Sequence, residues 1–85
     1  MTKDEFLKRI EEEELKLGEY LIVTDSITEA PYVLGCAYDE GIWKVYKTGE
    51  RDGPHILEEY ENENEAFDYF YKVVKIYYDL INKNY

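Results

Sequence analysis

The sequence predicts an α+β fold of order α-β-β-β-β-α, in which a four-stranded antiparallel meander carries two helices packed on one face. Three observations lead there. Helical periodicity is confined to the two ends of the chain. The middle is dense in β-branched and aromatic residues. The connections between the predicted strands are short and marked by glycine. At 85 residues, 45% of them hydrophobic, the chain has length for one domain, 1–85, whose core is small relative to its surface.

The first helix is announced by Thr2-Lys3-Asp4-Glu5, a capping box in which the Thr2 hydroxyl accepts from the Glu5 amide and the Glu5 carboxylate accepts from the Thr2 amide. Phe6, Leu7, Ile10 and Leu17 supply its apolar stripe, and Gly18 stands where a left-handed cap is wanted, so the helix is expected over 3–17. Its acidic run at 11–14 lies where the helix dipole does not favour acid.

From residue 20 the period changes. Tyr20-Leu21-Ile22-Val23-Thr24 reads as a strand, and a polar break at 25–30 ends in Pro31, which opens a second strand over 32–38. Asp39-Glu40-Gly41 reads as a three-residue hairpin loop into a third strand, 42–47, and the glycine-bounded turn at 48–54 leads into a fourth, 55–60. The last third returns to helix, capped by Asn62 or Asn64, with Glu63, Glu65 and Asp68 near its start. Phe70, Val73, Tyr77, Leu80 and Ile81 form its stripe, widened by Ala66, Phe67 and Val74, and residues 82–85 are expected to fray.

If Tyr38 opposes Ile42 across the hairpin, Val33, Gly35, Ala37, Trp43 and Val45 face the helices. Tyr32, Leu34, Cys36, Tyr38, Ile42, Lys44 and Tyr46 then face away from them. Trp43 becomes a core residue, and the tyrosine-bearing face is left for a partner or a second copy. A one-residue bulge would exchange the two faces.

Charge narrows the class of partner. A formal net charge of -10 on a patterned, apolar-rich chain describes a folded acidic surface, which repels nucleic acid and anionic membranes and attracts a basic protein. No apolar run reaches the length of a membrane span, no secretory leader is visible, and Cys36 is the only cysteine. A reducing cytoplasm is therefore the expected setting.

Candidate chemistry is sparse. Cys36 and His55 are the only thiol and imidazole, and their spacing does not require them to meet; a mid-strand cysteine is ordinarily a small apolar residue. Carboxylate pairs are inevitable among 20 acids and point to no acid–base couple. Neither a metal-ligand spacing nor a phosphate-cradling loop is present. No catalytic residue, cofactor or metal is expected.

The acids are more informative as a surface. Glu58, Glu59, Glu61, Glu63, Glu65 and Asp68 follow one another with no lysine or arginine among them, and Asp39, Glu40, Glu50 and Asp52 occupy two turns. Such a field can imitate a nucleic-acid backbone or dock a basic cleft. With interleaved tyrosines it gives an expected contact set of Tyr38, Asp39, Glu40, Lys44, Tyr46, Glu50, Arg51, Asp52 and Glu58. Arg51 pairs either with a partner carboxylate or locally with Glu50 or Asp52.

The runs Leu17-Gly18-Glu19-Tyr20-Leu21-Ile22-Val23, Tyr32-Val33-Leu34-Gly35-Cys36, Gly41-Ile42-Trp43-Lys44-Val45-Tyr46, Gly49-Glu50-Arg51 and Glu65-Ala66-Phe67-Asp68-Tyr69-Phe70 resemble small bacterial immunity proteins of polymorphic toxin systems. The resemblance covers almost the whole chain. It implies an intracellular protein, monomer or homodimer, that binds a cognate toxin domain with a basic surface and blocks it without catalysis. A nuclease is the first target to consider, because its cleft is basic. The rival class is an acidic adaptor or regulatory module that binds a basic protein or homodimerises through the open sheet face.

Overall fold

The computed structural model describes residues 1–51 and 53–83. Among them six elements follow in order: α1 (Lys3–Glu13), β1 (Leu21–Val23), β2 (Val33–Asp39), β3 (Ile42–Thr48), β4 (Pro54–Tyr60) and α2 (Glu63–Asn82). The α+β class and the element order agree with the sequence reading; a wholly antiparallel meander does not. The strands lie in the order β1-β2-β3-β4, with β2–β3 and β3–β4 antiparallel. β1 instead runs parallel to β2, placing Leu21 opposite Val33 and Val23 opposite Gly35. A parallel neighbour requires the chain to return across the sheet before pairing. Because β1 has three residues, about 10 Å of strand, the coil at 24–32 is long enough to make that return.

α1 begins at the expected capping box, with Thr2 as N-cap, and ends four residues before the sequence reading places its end. Glu14 takes the left-handed conformation at φ 49°, and its amide donates to the carbonyls of Glu11 and Ile10. Leu15 and Leu17 explain the early stop. Two positions apart on a continuous helix they would point roughly 200° apart, whereas both are buried once the chain unwinds. Gly18 does adopt positive φ, at 63°, but in the turn leading to β1 rather than as the helix cap.

α2 is capped by Asn62, whose side chain accepts from the Glu65 amide. It packs across β2, β3 and β4, with α1 beside it. The helices run parallel. Glu63, at the start of α2, accepts the Lys3 amide at 2.7 Å; Phe6 stacks on Phe70 at 4.8 Å; Glu13 accepts the Tyr71 hydroxyl; and Asn82 donates to the Lys16 carbonyl. Glu63 thus places a carboxylate against the amino ends of two helices, where both dipoles favour it. Phe6, Phe67 and Phe70 meet Leu34, Cys36 and Val45 of the sheet in one apolar core, and Trp43 closes on Phe67 edge to face at 5.6 Å. Leu80 and Ile81, read as part of the buried stripe of α2, are exposed, as is Leu7 of the α1 stripe.

The β2–β3 hairpin is tighter than the sequence suggests. Asp39 pairs with Ile42, leaving a two-residue turn of Glu40 (φ 53°) and Gly41 (φ 79°). Both central residues are left-handed, as a type I′ turn demands, and its twist suits antiparallel strands. Tyr38 therefore opposes Trp43, not Ile42. That shift by one residue moves Leu34 and Cys36 to the helix side and sends Val33, Gly35 and Ala37 to the other. The β3 assignments do not change: Trp43 and Val45 remain under the helices, and Lys44 and Tyr46 remain opposite.

The face away from the helices is not open. Tyr46 and Thr48 project from β3 onto the returning coil. The Tyr46 hydroxyl donates to the Ser26 carbonyl at 2.7 Å and accepts from the Thr28 amide at 3.3 Å. The Thr48 hydroxyl donates to the Ala30 carbonyl at 2.6 Å and accepts from the Val33 amide at 2.8 Å. Pinned in this way, 24–32 is a strap over β2 and β3, and Val33, Ala37, Tyr46 and Thr48 are all buried. Gly35 makes the arrangement possible, because a Cβ there would sit 2.2 Å from the Tyr46 ring.

Candidate partner-binding surface

With helices on one side of β2 and β3 and the strap on the other, the exposed side chains of β2, β3 and β4 lie at the hairpin end and along β4. At the hairpin, Tyr38 is 59% exposed, and its ring leans on Trp43 at 5.3 Å. Lys44 lies on the opposite face, with its ammonium held by Asp39 at 3.1 Å and Glu40 at 3.4 Å. The Asp39 and Glu40 hydrogen bonds hold this amine above the usual lysine range. Lys44 therefore acts as a local clamp on the turn, with little of its charge turned outward.

Tyr46 has no place in an exposed contact set. It is fully buried, and its hydroxyl is committed to the strap. The two turns in the expected set also stand apart. They lie at opposite ends of β3, a seven-residue strand, and so are roughly 20 Å from one another. Glu50 and Arg51, at the far turn, are exposed. Among the described residues Arg51 forms no ion pair, and Asp52 lies outside them. Glu50 makes itself felt locally, because its charge raises the Tyr32 phenol above its ordinary range.

What the structure does bring together is the hairpin end and the second half of β4. Glu59 pairs with Lys44, Glu58 with Val45 and Tyr60 with Trp43. A bulge follows, since Tyr46 pairs with Ile56 and Leu57 is the extra residue. In a bulge two residues share one partner position, which lets Leu57 reach the apolar core while Glu58 stays exposed. At this kink Ile42, Ile56, Leu57, Glu58, Glu59 and Glu61 line a shallow recess. Burial, followed by the Glu58 charge, pushes the Tyr60 phenol up. Of these residues only Glu58 belonged to the expected set. Glu59 and Glu61 were visible as acids without nearby bases, but a recess needs the bulge, which alternation alone does not reveal.

The reactive residues do not assemble. Cys36 lies on β2 under the helices, and burial pushes its thiol up to about 12, far from a thiolate at neutral pH. His55 is on β4, two strands away, at least about 9 Å by strand spacing. Among the described residues, no group of three or more His, Cys, Asp or Glu side chains is placed to hold a metal ion, and no helix is long and apolar enough to cross a membrane.

No family model, no curated protein and no solved structure matches the chain.

Proposed function

We propose that the protein is an immunity protein, a stoichiometric and non-catalytic inhibitor that binds and neutralises a cognate bacterial toxin domain in the cytoplasm. A nuclease is the target whose basic cleft its charge fits best. The observation that carries the reading is the distribution of charge on this scaffold. Glu40, Glu58, Glu59 and Glu61 crowd the hairpin end and β4, and the one lysine among them is already clamped by Asp39 and Glu40. An acidic surface without its own cations accelerates encounter with a basic partner and disfavours acidic ones. The resemblance of the sequence to immunity proteins points the same way.

The test is capture from the native organism with the tagged chain, followed by assay of the captured toxin domain. The reading expects recovery of a toxin encoded beside it and complete inhibition at equimolar chain. Recovery of only a housekeeping protein, with no toxin inhibited, would contradict it.

A second reading has one observation in its favour. Ile76 and Leu80 lie one turn apart on α2 and are 57% and 60% exposed, an apolar stripe suited to a second copy. An acidic adaptor that homodimerises would use this helix flank, not the strapped sheet face.

A further inference from the structure

The two edges of the sheet differ. β1 offers three residues, whereas β4 offers seven, and among the described residues no strand pairs with the outer side of β4. An open edge of that length is a template for another strand. Which strand it admits is set by charge and shape. Two copies of β4 laid edge to edge would set Glu58 and Glu59 against their own kind, which disfavours self-pairing. Within the molecule Glu59 faces Lys44, but that ammonium is spent on Asp39 and Glu40. Among the described residues no ion pair engages Glu58, Glu59 or Glu61.

Shape adds a second requirement. Ile42 and Ile56 line the recess between these acids, and Ile56 is 45% exposed. An extended segment alternating lysine or arginine with aliphatic residues meets both conditions. Its cations reach Glu59 and Glu61 with their alkyl stems laid across Ile56, which shares the face of Glu59, its aliphatic residues fall on the other face beside Leu57, and its backbone completes the edge. The bulge at Leu57 bends that edge, so the added strand is short.

We propose that the free edge of β4 docks a short, extended, basic segment of the partner protein as a fifth strand. The inference rests on the reading of the chain as a binding protein and specifies how the partner is held.

The probe is a blocked heptapeptide of alternating lysine and valine, titrated into the isotope-labelled full chain with amide exchange followed by NMR. The expected result is exchange slowed about tenfold at near-saturating peptide for amides of β4, with little change in α1 or the strap. The Glu58→Lys, Glu59→Lys double variant should lose this protection and gain it with an alternating glutamate–valine peptide. Should that variant fail to fold, the wild-type chain still decides, because the glutamate peptide and a proline-interrupted lysine peptide must both leave β4 unprotected.

No protection at millimolar lysine peptide would overturn the proposal and leave the β4 acids as a guard against edge aggregation. Protection centred on the acidic run at 11–14, or independent of peptide charge, would overturn it as well. Toxin inhibition is read separately. A chain that binds the peptide on β4 yet neutralises no toxin supports the edge and contradicts the immunity reading. One that neutralises its toxin with β4 unprotected in the complex does the reverse.

Discussion

The strapped half of the sheet and its open edge use the same residue types for opposite ends. Under the strap, Tyr46 and Thr48 turn their hydroxyls onto four backbone groups between Ser26 and Val33, and Gly35 gives up its side chain so that the Tyr46 ring can lie down. At the hairpin and β4, Tyr38, Glu58 and Glu59 stand in solvent. Tyrosine is therefore no marker of a contact surface in this chain until its depth is known. Polar groups that satisfy buried backbone build the fold, and those left without a local partner are the ones available to another molecule.

The largest effect that would break this contrast is expected at Gly35. Replacement by alanine drives a methyl group into a ring fixed by Ser26 and Thr28. Urea denaturation should report a loss of about 3 kcal/mol. A loss near zero would mean that the strap is loose and that both halves of the sheet are open.

Thr48→Val comes next. It keeps the shape and removes the hydroxyl, leaving the Val33 amide and the Ala30 carbonyl without their partner. A cost of about 2 kcal/mol is expected by the same measurement.

A smaller change of opposite sign is expected at Glu14, which holds a left-handed cap without being glycine. Glu14→Gly should stabilise by about 0.5 to 1 kcal/mol in thermal or urea unfolding.

The pH dependence of α1 separates the packed region from the exposed one more finely. The Thr2 amide holds the Glu5 carboxyl below its ordinary range, and the Tyr71 hydroxyl does the same for Glu13. A folded pKa below the unfolded one stabilises above the unfolded value, and that contribution is lost as pH falls through the folded value. The stability difference between the wild type and Glu13→Gln should therefore be present at neutral pH and shrink as pH drops below the ordinary glutamate range. Both side chains are exposed, so the amplitude is small.

Much of the scaffold was legible because its signals are local. The capping box at Thr2 and Glu5, the Asn62 cap, and the stripe of Phe67, Phe70 and Val73 each follow from a few neighbouring side chains, whereas Trp43, expected in the core from a register that does not form, is half-buried against it. The rest depends on geometry that spacing does not carry. Glu40 in a left-handed conformation shortens the hairpin by one residue and changes the parity of β2 against β3. The parallel pairing of β1 depends on where residues 24–32 travel, and nothing in a polar break says that it will cross a face. Leu15 and Leu17 did hold a usable signal, since apolar residues two apart and both needed inside cannot share one helix.

The candidate surface was legible in its charge and not in its layout. Glu40 and Glu58 are exposed as their chemistry suggests, and Asp39 is half-buried. The grouping of both turns with Tyr46 fails because successive hairpins of a sheet lie at opposite ends and because alternation says which face a residue is on without saying what covers it.

The most direct test compares two variants in one inhibition assay against the toxin domain captured with the chain. Glu58→Gln, Glu59→Gln, Glu61→Gln should keep its stability within about 0.5 kcal/mol, bind more slowly at low salt and inhibit poorly. Tyr46→Phe should be less stable and inhibit as the wild type does, provided that it is assayed folded. Inhibition lost by folded Tyr46→Phe and kept by the triple amide variant would contradict the division between a closed, structural half and an open, binding edge.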